Sequence, residues 1–273
     1  MIRGNGISSY PNNKTGNPIL DISLSGYLNG KAASVVYVFG RRDNGWSSTS
    51  VLGDVAQYLD TSQALINTPT SQQLYLVSTN AADDGEPAGT GAQTVRVVYL
   101  NDAGTQTVAT YTMNGTTPVS AMADATFIQW MEVATVGSNS VSVGNIALTS
   151  TNGVATVGTT FEFIKAGGNR SLSARYKVPT GYTAYMHIWN TYAISATMDV
   201  RLRTNVFADD RALSDTAQHF QATSYLASGQ NSAGELDFLK CPAGSVIKAS
   251  AIPGGAPAGN RCDVNFDMLL VAD

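Results

Sequence analysis

Residues 87–100 read PAGTGAQTVRVVYL, and the fold turns on whether these glycines cradle a phosphate or only turn the chain into a strand. A phosphate-binding loop follows a strand and opens a helix, so that backbone N–H groups and the positive helix end point at the anion. Here the order is reversed. Gly89 and Gly91 precede Thr94, Val95, Val97, Val98 and Tyr99, which are β-branched or aromatic and alternate as a strand does. No lysine follows the glycines and no helix opens, so the stretch reads as a turn and a strand. Asn101-Asp102-Ala103-Gly104 then turns the chain into TQTVATYTM (105–113), which makes the clearest hairpin in the sequence.

Outward from this hairpin the pattern repeats. From Gln73 to the carboxy terminus, short alternating or apolar runs are separated by turn residues, among them QLYLVST, FIQWMEVATV, NIALTS, TFEFI, YTAYMHIWNT, SVIKASAI and RCDVNFDMLLV. That spacing predicts an all-β chain of two β-sandwich (jelly-roll-like) domains. Turn residues at 149–159 place the boundary between them, giving a first domain at 73–155 and a second at 156–273. Residues 1–72 are rich in Gly, Asn and Ser around one apolar run, AASVVYVFG, and read as an extended amino-terminal arm that assembles with a neighbour. Within it Leu52, Val55, Ala56 and Leu59 have the spacing of one or two helical turns, which Gly53 weakens. VFADDRALSDTAQHFQ (206–221) reads as a loop carrying a helical turn.

Composition excludes several classes. Only 13% of the 273 residues are charged and the net charge is −4, so there is no basic field for a nucleic acid. No apolar run approaches the ~20 residues that span a bilayer, and the amino terminus lacks a secretory core, so synthesis and folding are expected in a cytoplasm without membrane insertion. There Cys241 and Cys262 are expected as two buried thiols, with a disulfide between neighbouring carboxy-terminal strands as the alternative.

The inventory of catalytic groups is thin, and no enzyme is expected. His187 and His219 are the only histidines, too few for a three-histidine metal site, and no GxSxG elbow is present. No cofactor is called for. Asp83, Asp84 and Glu86 in AADDGEPAG are a weak candidate calcium cluster, because hard cations take several oxygens from one loop, but the full calcium-loop spacing is missing and a solvated acidic turn is the preferred reading. Asp209 and Asp210 are a weaker candidate of the same kind. Trp130 and Glu132 alternate onto one strand face, and with Trp189 they are candidate carbohydrate-stacking and hydrogen-bonding residues. Trp46 and the tyrosines of GYTAYMHIWNTY could add to such a surface. Glu162, between Phe161 and Phe163, reads as an outward residue with buried neighbours.

LVSTNAADDGEPAGTGAQTVRVVYLNDAGTQTVATYTMNGTTPV (76–119) and FIQWMEVATVGSNSVSVGNIAL (127–148) resemble a module of structural proteins of tailed bacteriophages and some large DNA viruses. VYVFGRRDNGW (36–46) and AGGNRSLSARYKVPTGYTAY (166–185) are similar to its flanking parts. The linker before the first phrase departs from the family, which often has a tryptophan and a GG-Y segment there. The resemblance implies a non-enzymatic virion structural protein, assembled in the host cytoplasm as a capsid decoration or a tail or fibre component. It implies a homo-oligomer, a trimer by preference, whose other partners are major capsid or tail proteins. The alternative is a receptor-recognition module for host-surface carbohydrate.

Overall fold

The computed structural model describes residues 33–43, 53–56, 72–153, 159–194, 197–205, 219–226, 229–254 and 260–273. These residues are all-β, with sixteen strands in four sheets. The chain begins with β1 (Ala33–Asp43) and the short β2 (Gly53–Asp54). There follow β3 (Tyr75–Ser78), β4 (Ala92–Leu100), β5 (Gln106–Thr112), β6 (Val119–Ser120), β7 (Phe127–Val136), β8 (Ile146–Thr149) and β9 (Thr160–Ile164). The last set is β10 (Arg175–Lys177), β11 (Tyr182–Ile194), β12 (Met198–Thr204), β13 (His219–Leu226), β14 (Asn231–Cys241), β15 (Val246–Pro253) and β16 (Arg261–Ala272).

Strands β3 to β9 form one sandwich, with sheets ordered β6-β3-β8-β9 and β5-β4-β7. The opening hairpin is realised as β4 and β5, paired antiparallel from Thr94↔Thr112 to Leu100↔Gln106. Val95, Val97 and Tyr99 of β4 face inward together and meet Ile128 and Met131 of β7, with Leu76, Ile146 and Leu148 from the facing sheet. The period-two alternation of the sequence is therefore the division between core and surface.

The other sandwich has sheets β1-β16-β11-β14 and β10-β15-β12-β13, with β2 added beside β15. Counted in chain order without β2, its eight strands run from β1 as the first to β16 as the eighth. The two sheets then read 1-8-3-6 and 2-7-4-5, the strand order of a jelly roll. Its core alternates along β16, where Cys262, Val264, Phe266, Met268 and Leu270 point inward, and is completed by Met186 and Trp189 of β11 and Val200 and Leu202 of β12.

This order moves both domain boundaries drawn from the sequence. The run AASVVYVFG does not lie in a separate arm: β1 pairs with β16 over its whole length, from Ala33↔Val271 to Asp43↔Arg261, and Val38 enters the jelly-roll core. Alternation of Val36 and Val38 with exposed Val35, Tyr37 and Phe39 gives it one buried face, and the last strand of the chain supplies the partner. The second boundary lies beyond 155, because β9 pairs with β8 of the first sandwich. The smaller sandwich is thus inserted between the first and second strands of the jelly roll. Its entry and exit are tied together by an Ala56↔Ser173 bridge and by a bond from Ala174 N to Val55 O (2.9 Å).

The helical spacing around Val55 is not used, because residues 53–54 are extended and Val55 N bonds Ala249 O of β15 at 3.0 Å. The remainder of that segment lies outside the described residues, as do 206–218 of the expected loop. Residues 219–221 begin β13. Cys241 and Cys262 are buried thiols without a disulfide. They lie on strands flanking β11, level with Ala184 and Ala193, which puts them roughly 30 Å apart at the usual strand rise. Burial pushes the Cys262 thiol up to about 12.

Candidate functional site

Asp83 is fully buried, and its carboxylate is surrounded by donors. Oδ1 accepts the N–H of Ala92 (2.8 Å) and Val143 (2.9 Å); Oδ2 accepts the N–H of Gly144 (2.7 Å) and the hydroxyl of Ser78 (2.6 Å). Gly91 lies so close that a Cβ there would overlap Asp83 Oδ1, and one at Gly89 would overlap the carbonyl of Ala82. The glycine-rich stretch does help to cradle an anion, but the anion is the chain's own carboxylate. Phrases far apart in sequence converge here. Gly115 N of NGTTPV bonds Asp83 O at 2.8 Å, and Gly137 N bonds Gly91 O at 2.8 Å.

The calcium reading of Asp83, Asp84 and Glu86 is corrected by this geometry. Four donors occupy the lone pairs a cation would need, so Asp83 serves as a structural acceptor. Asp84 Oδ1 accepts the N–H of Glu86 at 3.0 Å in a side-chain-closed turn. Among the described residues no group of His, Cys, Asp and Glu is placed to hold a metal. Asp209 and Asp210 lie outside them.

The three carbohydrate candidates do not form one surface. Trp189 is only 4% exposed and belongs to the jelly-roll core, where Gly234 on the paired strand admits its indole: a Cβ there would sit 2.9 Å from Nε1. Trp130 and Glu132 do share a face of β7, but both are engaged. The Arg170 guanidinium lies 5.4 Å from the Trp130 ring and 5.4 Å from Phe39 of β1, and Glu132 pairs with Arg96 across the strands at 3.0 Å. Trp46 lies outside the described residues.

Trp130 instead marks the seam between the sandwiches. Gln129 beside it bonds the β10 backbone twice, donating to Lys177 O at 2.6 Å and accepting from Lys177 N at 3.0 Å. Leu100, Phe127 and Val246 pack together across the same seam. Beneath lies an ion pair whose acid, Glu162, was expected to face outward. Glu162 is fully buried, with Oε2 3.1 Å from Arg175 Nη2 of the jelly roll and Oε1 accepting from Ser173 Oγ (2.7 Å) and Phe163 N (3.0 Å). Its neighbours Phe161 and Phe163 are also buried, because strand β9 is covered on both faces. Burial pushes the Glu162 carboxyl up, against the pull of Arg175, Ser173 and the Phe163 amide.

A second polar group has no mark in the sequence. On β11 the pairing slips between Met186 and Ile188, leaving His187 as the extra residue of a bulge. Asp267 of β16 accepts the N–H of Ile188 at 2.9 Å and stands 3.8 Å from His187 Nδ1. No motif announces this site, since a bulge appears only once two strands are in register.

No protein-family model matches the chain, and no curated protein matches it. Among solved structures, the chain is similar to one from infectious bursal disease virus Gt strain (9% identity, TM-score 0.22, covering 88% of this chain and 71% of that one). It is similar also to the CBM22-1–CBM22-2 tandem domain of Paenibacillus barcinonensis Xyn10C (10% identity, TM-score 0.22, 89% and 98% covered). The VP2 subviral particle of infectious bursal disease virus follows at 8% identity and a TM-score of 0.18, with 78% and 76% covered. Likenesses this slight carry no argument about function. No helix among the described residues is long and apolar enough to cross a membrane.

Proposed function

We propose that this chain is a non-enzymatic virion structural protein of a tailed phage, acting by homo-oligomeric assembly as a capsid decoration or a tail or fibre component. The observation that carries the reading is strand β1. From Ala33 to Phe39 it is hydrogen-bonded to β16 on one side, and no described strand lies on the other. It has no charged residue before Arg41, and Val35, Tyr37 and Phe39 are 46%, 56% and 40% exposed. Proteins that work alone blunt such edges with charge, proline or a cover. An unblunted apolar edge suits strand addition between copies, in which backbone bonds supply affinity and the outward side chains supply fit.

The jelly-roll order agrees with this reading by analogy only, since viral capsid domains use that architecture and so do lectins and cupins. The phrases that resemble the phage module form the self-satisfied scaffold around Asp83, which suits a part whose task is to hold shape. A trimer is the proposed state, with capsid or tail proteins as further partners in the host cytoplasm. The test is to locate the chain in purified particles by cryo-electron microscopy. Ordered density for both sandwiches on the capsid or tail is expected, and particles that lack the chain would overturn the proposal.

A further inference from the structure

We infer that the outward face of the sheet β1-β16-β11 holds a binding site for one neutral hexopyranose, built around Tyr37, Asp267 and His187. Tyr37 stands directly opposite Asp267, which stands opposite Ile188, so three adjacent strands place their outward side chains in one row. The bulge adds His187 to that row. Together with Val35 and Leu269 these residues line an open groove of about 200 Å³. Enclosed small-molecule pockets run to ~300–1,000 Å³, so this one suits a single ring and not an extended chain.

The chemistry narrows the occupant. Tyr37 is 56% exposed, so a face of its ring is open to stacking against the C–H face of a sugar. Asp267 uses Oδ1 for the Ile188 amide, and among the described residues no donor reaches its Oδ2, which leaves an acceptor for a hydroxyl. His187, beside it in the bulge, lines the same groove. An apolar side chain seated here would strip water from the carboxylate and return no hydrogen bond, which is costly. A hydroxylated ring meets both the apolar wall and the polar floor. The carboxylate also selects against acidic sugars, by like-charge repulsion in a partly dry groove.

The site is complete within one copy. Strand addition would use the backbone edge of β1, and Val35 and Tyr37 belong both to that strand and to the groove. The two readings are told apart by Asp267, which lies on β16 away from the open edge: Asp267→Asn should weaken sugar binding and leave the oligomeric state unchanged.

The test is saturation-transfer NMR on the full chain with the methyl glycosides of glucose, galactose, mannose and N-acetylglucosamine, and with N-acetylneuraminic acid. Saturable binding of at least one neutral glycoside is expected, with no transfer to the acidic sugar. Tyr37→Ala and Asp267→Asn should each weaken binding at least tenfold. The carboxamide introduced by Asp267→Asn keeps an acceptor for the Ile188 amide, and Tyr37 is a surface residue, so both variants should fold; unchanged near-ultraviolet circular dichroism checks this. Tyr192→Ala, on the same sheet face outside the groove, should bind as the parent does. The inference is overturned by failure of every neutral glycoside, by binding that survives both substitutions, or by equal binding of the acidic sugar.

Discussion

Asp83 shows how one side chain can decide the reading of a motif. A buried carboxylate is stable only where hydrogen bonds replace its lost water, and here three backbone amides and a hydroxyl do so. Asp83→Ala would strand those donors in the interior, at about 1–3 kcal/mol for each one left unmet. The expected outcome is a loss of at least about 3 kcal/mol in urea-unfolding stability. A change below about 1 kcal/mol would mean that water or a neighbouring group satisfies the donors equally well. The same residue explains why the sequence admitted a calcium reading. Acidic turn residues look alike whether they face a cation or the chain's own amides, and only the convergence of residues 78, 92, 143 and 144 separates the two cases.

At the scale of elements, local pattern and long-range pairing contribute differently. The hairpin of β4 and β5 was legible because alternation and the Asn101–Gly104 turn are local, and every alternating run from Gln73 onward became a strand. The place of β1 was not legible, since its partner β16 begins over two hundred residues later in the chain. Trp189 was misread for a related reason: an aromatic on a strand can face core or solvent, and Gly234, which makes room for it, is distant in sequence.

The short strand β2 is held to the jelly roll by charge as much as by its two paired residues. Asp54 meets Ser250 Oγ at 2.7 Å, Arg203 Nη2 at 3.1 Å and Lys248 Nζ at 3.4 Å. Burial alone would raise its carboxyl, but Lys248, Ser250 and Arg203 outweigh that and hold it below the usual aspartate range. The folded state then binds the proton less readily than the unfolded one. Stability from Asp54 is therefore present above the ordinary aspartate value and is lost as pH falls through and below about 4. Melting temperature should drop over that range in the parent, and the drop should be smaller in Asp54→Asn. Identical pH profiles for the two proteins would remove Asp54 from this role.

On the scale of the whole molecule, the inserted sandwich and the jelly roll are joined by the Gln129 bonds to Lys177, the apolar contact of Leu100, Phe127 and Val246, and the buried pair of Glu162 and Arg175. Removing one partner of a buried ion pair leaves an uncompensated charge, at a cost of about 3–5 kcal/mol, whereas replacing both by apolar groups is often neutral. Glu162→Gln and Arg175→Met alone should each destabilise strongly, and the double variant should recover a large part of the loss. Additive losses in a double-mutant cycle would contradict a direct coupling between the sandwiches through this pair.

Assembly through the open edge of β1 is tested most directly by light scattering on the purified chain. Val35 is exposed on that strand, so Val35→Lys places charge beside the edge without disturbing the core. The parent is expected to be a trimer and the variant a folded monomer. A monomeric parent, or a variant that still forms trimers, would contradict assembly through β1.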